Sequence, residues 1–180
     1  MKYQSILKIA ALLTTSMTLL AGCALSSKLN TGNPALVSSV SQPHATVYFI
    51  RPPLQRTRGV ADGNVKIELD EIPLINLGVS EYTVVKLKPG KMDVILRSLT
   101  YLTTKPMPVE VWRSRRLEFL AGETYYVETR FIQEEFRGTY FQPELVKKAD
   151  FSNSGLVMSP IGTLAKAMPL AIRRAPVIAP

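Results

Sequence analysis

The middle of the chain, from Ala45 to Val146, is a series of short apolar runs with the two-residue period of β-strands. Successive side chains of a strand point to opposite faces of its sheet, and the run Val65–Asp70 places three apolar side chains on one face and its charges on the other. The run Ala45–Arg51 is rich in β-branched and aromatic residues and is stopped by Pro52 and Pro53. Both runs therefore predict β-strands.

Turn sequences such as Pro89-Gly90 and Ala121-Gly122 separate the other apolar runs. The remaining candidate strands are Ile72–Leu77, Glu81–Leu87, Lys91–Leu96, Val109–Leu120, Thr124–Phe131 and Thr139–Val146. A parallel pair would need a long crossover connection, usually a helix, and no helical pattern lies between these runs. The spacing therefore predicts an all-β domain over residues 45–148, an antiparallel β-sandwich of about seven strands.

An apolar N-terminal segment precedes this domain. Lys2 and Lys8 form a basic start, and the twelve-residue run Ile9–Leu20 is shorter than the roughly 20 apolar residues that a membrane span needs. The pattern is typical of a secretory signal. We therefore predict that residues 1–22 are a cleaved signal peptide.

The segment ends in Leu20-Ala21-Gly22-Cys23, which resembles the lipobox of bacterial lipoprotein precursors. The alternative is an ordinary signal peptide with an incidental cysteine, but Cys23 is the only cysteine and directly follows Ala-Gly. The resemblance implies that Cys23 is acylated, and stable anchoring takes at least two acyl chains. In such lipoproteins an Asp directly after the cysteine usually signals retention in the inner membrane, and this chain has Ala24 at that position. The resemblance thus implies an outer-membrane anchor with the domain in the periplasm.

Two segments flank the predicted sandwich. Residues 23–44 are rich in Ser, Gly and Pro, which predicts a lipidated N-terminus followed by a flexible linker. In residues 149–180, apolar side chains from Ile161 to Ile172 fall at helical spacing, but Pro169 would break a helix. This tail could dock on the sandwich, lie on a membrane or engage a partner, and a weakly ordered or partly helical terminus is the general expectation.

The charge and the rare residue types limit the chemistry. The formal net charge is +8, or +6 once Lys2 and Lys8 leave with the signal segment. A basic surface favours anionic partners, and for an envelope protein we expect phospholipid or glycan and no nucleic acid. A single cysteine excludes an internal disulfide, and the single histidine, His44, argues against a histidine metal site.

Catalytic motifs are missing from the sequence. It contains no glycine-rich phosphate loop, nucleophile elbow or spaced set of metal ligands. The neighbours Asp70 and Glu71 would point to opposite faces of a strand, and an acid/base site would need a cavity that joins distant acids such as Glu68 and Glu128. We therefore predict no enzymatic activity, no metal site and no cofactor.

Arginines and one tryptophan are the candidate binding residues. Arg56 and Arg58 lie in a predicted loop, and Arg113, Arg115 and Arg116 interrupt a predicted strand, in which Arg113 and Arg115 would share one face. Charges in an edge strand commonly prevent aggregation between sheets, which explains the second group without a ligand. The alternative is a face that binds anionic lipid head groups or acidic glycans. Trp112 could stack on a sugar or pack in the core or at an edge.

The order of these motifs resembles a family of small bacterial lipoproteins. It is carried by Val47-Tyr48-Phe49-Ile50-Arg51-Pro52, the alternating strand that ends at Asp70, Leu77-Gly78-Val79-Ser80-Glu81-Tyr82, Leu87-Lys88-Pro89-Gly90 and Ala121-Gly122-Glu123-Thr124-Tyr125-Tyr126-Val127. The family's domain of unknown function is similar to the PEGA and carboxypeptidase-regulatory-like sandwiches. The resemblance implies a lipid-anchored, non-enzymatic envelope module that interacts with a protein partner. The alternative is a binder of peptidoglycan, anionic glycan or anionic lipid through arginines and exposed aromatics.

Overall fold

The computed structural model describes residues 28–39, 41–53, 63–100, 107–134, 138–152 and 156–170. Cys23, Arg56 and Arg58 lie outside these ranges, so their predicted roles stay predictions. The strands are β1 Ala45–Arg51, β2 Val65–Leu69, β3 Ile72–Leu77, β4 Glu81–Leu87, β5 Gly90–Thr100, β6 Val109–Phe119, β7 Thr124–Glu134, β8 Gly138–Val146 and β9 Ser159–Ile161. Two short helices, α1 Lys148–Ser152 and α2 Thr163–Ala167, follow β8 and β9. Within the described ranges, no helix has the length and apolar character needed to cross a bilayer.

The strands form two packed sheets, which confirms the predicted β-sandwich. One sheet has the order β8-β7-β1-β4-β9 and the other has the order β3-β2-β5-β6. The pairing is antiparallel except for β1 with β7 and β4 with β9, which are parallel. Parallel pairing does not require crossover helices here, because strands of the opposite sheet lie between the partners along the chain.

The hairpin of β2 and β3 shows how the chain turns without glycine. Asp70 and Glu71 both have positive φ, 47° and 68°, as the two central residues of a tight hairpin require. The Asp70 carboxylate accepts a hydrogen bond from the Asp93 amide at 2.8 Å, and the Asp70 amide donates to the Asp93 carbonyl at 2.9 Å. These bonds to β5 stabilise a conformation that Asp tolerates better than most residues.

Apolar side chains from the inner faces of both sheets build the main core. Members from the five-stranded sheet include Val47, Phe49, Val85, Leu87 and Val127. Members from the four-stranded sheet include Ile67, Leu69, Val94, Leu96 and Phe119. The apolar side chains that recur at every second position of the predicted strands are therefore the ones that form the core.

Part of the predicted linker is docked on the sandwich, so a flexible linker does not describe residues 28–37. The side-chain amides of Asn30 and Asn33 donate to the carbonyls of Pro73 and Ile72 at 2.8 and 3.0 Å, along the outer edge of β3. Leu36 forms a bridge with Leu87 and packs against the core. Satisfied edge carbonyls and buried apolar surface together hold this segment in place.

The described part of the C-terminal tail is also docked, which was one of the three outcomes left open. Residue Thr83 of β4 donates through its hydroxyl to the Ile161 carbonyl at 2.9 Å. The Tyr82 hydroxyl donates to the Ala165 carbonyl and accepts from the Leu170 amide, both at 3.2 Å. The helix expected near Pro169 spans only α2, so the prediction of a short or broken helix is confirmed.

Candidate functional site

The three arginines of the sequence analysis, Arg113, Arg115 and Arg116, lie on β6. Within the described ranges β6 pairs only with β5 and forms one edge of the four-stranded sheet. Charged residues here match the edge-strand interpretation of the sequence. All three arginines therefore belong to an edge strand of the four-stranded sheet.

The arginines do not share one face of β6. Alternation places Arg113 and Arg115 on the side of the buried Leu117 and Phe119, as predicted, and Arg116 on the opposite side. Arg113 is half-buried: its guanidinium lies 4.1 Å from the centre of the Tyr140 ring and donates to the Trp112 carbonyl at 2.9 Å.

Arg115 and Arg116 are exposed, and neither forms an ion pair with another residue of the described ranges. Arg113, by contrast, packs against Tyr140 of the other sheet. The two arginines that follow Ser114 are the ones available for a partner.

Trp112 lies on the outer face of the four-stranded sheet and is 54% exposed, so it does not belong to the core. Its cross-strand neighbour on β5 is Arg97, whose guanidinium lies 6.0 Å from the centre of the indole ring. Leu99, 48% exposed, and Glu110 pair with each other beside it. We call these four residues, Arg97, Leu99, Glu110 and Trp112, the Trp112 patch.

A buried carboxylate holds one side of the Trp112 patch. Glu68 on β2 is only 3% exposed and pairs with the Lys66 ammonium at 2.7 Å and with Nε of Arg97 at 2.8 Å. Arg97 also reaches Glu110 at 3.5 Å. The guanidinium next to the indole is therefore held from the side of β2, on the same face of the sheet.

The ion pairs also set the pKa of Glu68. Burial alone raises that pKa, but the hydrogen bonds and positive charges of Lys66 and Arg97 outweigh burial and lower it. The charge on Arg97 is stabilised in return, since its pKa is raised chiefly by the hydrogen bond to Glu68. Reasoning from the sequence missed this network, although the alternation along β2 indicated that Lys66 and Glu68 share the outer face of the strand.

An open cavity of about 600 Å³ lies along the first half of β6. Its described lining is Glu110, Val111, Trp112, Arg113 and Ser114. The cavity thus combines the exposed indole with a stretch of the open strand edge.

The distant acids considered in the sequence analysis do not meet. Glu68 lies on the outer face of the four-stranded sheet, whereas Glu128 pairs with Ile50 on the outer face of the other sheet, with both sheets between them. Burial, followed by the negative charge of Glu144, raises the pKa of Glu128. In the described ranges, no group of three His, Cys, Asp or Glu residues is arranged to hold a metal ion.

Comparison with protein-family models, with curated proteins and with solved structures found no match for this chain. The resemblance to lipoproteins therefore rests on the sequence motifs alone. The candidate site is defined by geometry: the Trp112 patch and the adjacent edge of β6.

Proposed function

We propose that this chain is a lipid-anchored, non-enzymatic interaction module of the bacterial envelope that binds a protein partner through the Trp112 patch. The observation that carries the proposal is the exposed indole of Trp112 beside a fixed arginine. Tryptophan and arginine are enriched among the few residues that supply most of the binding energy of protein interfaces. A large exposed aromatic with apolar and charged neighbours is typical of such a site.

The ion network of Lys66, Glu68 and Arg97 beside Trp112 supports this function. Glu68 holds Arg97 in one position before any partner arrives. Ordering a flexible side chain on binding costs about 0.5–1.5 kcal/mol, so a pre-positioned guanidinium binds at lower cost. The patch is therefore suited to recognition.

The membrane anchor is the part of the proposal that rests on the lipobox. We propose that acylated Cys23 tethers the domain to the outer membrane, with the sandwich in the periplasm. Substituting Cys23→Ala should move the protein from the membrane fraction to the soluble or unprocessed fraction, because no acyl chain can be attached. Fractionation after an alkaline wash measures this, and a variant that still floats with outer membranes would contradict the anchor.

Photo-crosslinking in cells tests the partner site. A photoreactive amino acid at Ser114, exposed on the same outer face as Trp112, should give a discrete adduct with a protein. Trp112→Ala should reduce that adduct at least fivefold, since truncating a central aromatic anchor commonly costs 1 kcal/mol or more. Leu120→Ala is the matched control: Leu120 is 55% exposed, close to the 54% of Trp112, but it lies beyond the end of β6. Equal adducts in the wild type and in Trp112→Ala would refute the site.

A second function is favoured by the polar groups around the indole. An exposed ring flanked by Arg97 and Glu110 offers a stacking surface with hydrogen-bonding groups, which suits peptidoglycan or an anionic glycan, and the exposed Arg116 on the same face suits anionic lipid. Co-sedimentation with purified peptidoglycan and with anionic liposomes separates the functions. Sedimentation that Trp112→Ala or Arg115→Ala/Arg116→Ala abolishes, without any protein adduct, would favour the second function over the first.

A further inference from the structure

We propose that the partner binds by strand addition: an extended, acidic segment of another protein pairs with the open edge of β6 and extends the four-stranded sheet. This inference rests on the proposed function and specifies the chemistry of the partner and its mode of binding. In strand addition, main-chain hydrogen bonds supply affinity and side chains supply selectivity.

β6 differs from the other edge strands of the sandwich. The edge of β3 is covered by Asn30 and Asn33, β9 has only three residues, and β8 carries Pro143, which cannot donate a hydrogen bond. β6 has eleven residues without Pro or Gly, and within the described ranges nothing pairs with its outer side. It is the edge that retains a long row of main-chain groups for a further strand.

The positions of Arg115 and Arg116 favour a partner that binds at the edge of the sheet rather than a ligand that binds on one of its faces. Arg115 and Arg116 are consecutive, so their side chains point to opposite sides of the sheet. A membrane or glycan on one face would reach only one of them. A strand lying in the plane of the sheet presents its own consecutive side chains to both faces, so two adjacent acids meet both guanidinium groups.

Charge also argues against a second copy of this chain. Two antiparallel copies of β6 centred on Ser114 would place Arg113 opposite Arg115 and Glu110 opposite Glu118, and like charges directly opposite each other destabilise a pair of strands. A strand with acids at its centre has opposite charges there instead. The cavity along Glu110–Ser114 leaves room for its side chains beside Trp112.

The test uses short fluorescent peptides of alternating Thr and Val with a central Asp-Glu pair, titrated against the full chain. Two analogues carry N-methyl groups on alternate residues, in one register or in the other. Since only one set of amides can face β6, one analogue should bind at least tenfold more weakly than the parent peptide and the other should bind nearly as well. Two analogues that bind equally, or a parent peptide that does not bind, would overturn strand addition.

Charge variants test the selectivity. Arg115→Ser/Arg116→Ser should weaken peptide binding about tenfold. Lys147→Ser/Lys166→Ser removes the same charge from exposed positions outside β6 and should leave binding unchanged. An equal loss of peptide binding in both double variants would show that net charge alone causes the effect, and would contradict the role of the β6 edge. A dimer of this chain that competes with the peptide would show that a second copy, and not an acidic segment of another protein, occupies the edge.

Failure of this inference differs from failure of the proposed function. If the adduct from Ser114 depends on Trp112 but the peptides do not bind, a partner covers the patch without adding a strand. If the peptides bind with the expected register and no adduct forms in cells, the edge binds strands but the protein-partner function is refuted.

Discussion

Replacing Arg51 by Met should lower the free energy of unfolding by about 3 kcal/mol. Arg51 is fully buried at the end of β1, in the five-stranded sheet. Its guanidinium donates to the Leu77 carbonyl of the other sheet at 2.7 Å and lies 5.1 Å from the centre of the Phe141 ring. Methionine fills a similar volume but loses the charged hydrogen bond that joins the sheets. Urea unfolding followed by circular dichroism measures the loss.

Glu81 provides the control for this substitution. It faces Arg51 directly in the pairing of β1 with β4, and its carboxylate accepts a hydrogen bond from the Gly78 amide at 2.6 Å. Arg51 and Glu81 thus bind the carbonyl and the amide of the same Leu77–Gly78 peptide. Glu81→Gln keeps an acceptor for the Gly78 amide. Because Arg51 and Glu81 bind the same peptide, the double variant Arg51→Met/Glu81→Gln should lose less stability than the sum of the losses in the two single variants. A change below about 0.5 kcal/mol in Arg51→Met would contradict the structural role of the arginine.

The core could be predicted from the sequence because it follows the simplest physical rule. Alternation in the run Val65–Asp70 and the β-branched run at β1 predicted a sheet with one buried face, and Pro52 and Pro89-Gly90 marked where strands end. Those signals are local in the chain. They fix strands and faces, and the confirmed sandwich follows from them.

Contacts between distant segments could not be predicted in the same way. The parallel pairing of β1 with β7 depends on the path of the whole chain and leaves no local pattern. The docking of Asn30 and Asn33 depends on where the outer edge of β3 lies, and their composition alone is that of a linker. Arg51 is the last residue of the run that predicts β1, and only the position of Leu77 explains its burial.

The candidate site was predicted in part. The expectation of charges in an edge strand agrees with the position of β6, and the shared face of Arg113 and Arg115 is confirmed. The separate role of Arg113 depends on Tyr140 of the other sheet, and the exposure of Trp112 depends on which face of β6 is covered. Both facts belong to tertiary structure, so the sequence left them open.

The second large effect concerns the buried carboxylate of Glu68. Glu68→Gln should lower the free energy of unfolding by about 2 kcal/mol at pH 7, because it leaves Lys66 and Arg97 without their shared anion. The expected loss is smaller than for Arg51 because the two cations are 40% and 27% exposed and retain solvent. Urea unfolding of both proteins at several pH values measures it.

The difference between wild type and Glu68→Gln should depend on pH with a defined sign. The pKa of Glu68 is lower in the folded chain than its ordinary value of 4.5, so the folded state binds the proton less readily than the unfolded state. The stabilisation by this carboxylate is therefore complete above pH 4.5 and is lost as the pH falls through the lower, folded pKa. The difference should be constant at neutral pH and shrink in acid, and a difference independent of pH would contradict the network.

Two other acids give controls of predictable sign. Glu118, 57% exposed and 3.9 Å from Lys91, should change stability by less than about 0.5 kcal/mol when replaced by Gln. Glu128 should behave oppositely to Glu68, because burial above all raises its pKa and its charge is unfavourable in the folded chain. Glu128→Gln should therefore stabilise the protein at neutral pH, and that gain should disappear as the pH falls through the raised pKa towards 4.5. The stability difference between the wild type and each Gln variant should therefore change with pH in opposite directions for Glu68 and Glu128, which would separate the effect of the two cations from that of burial. If both differences changed with pH in the same direction, the cations would not control the pKa of Glu68.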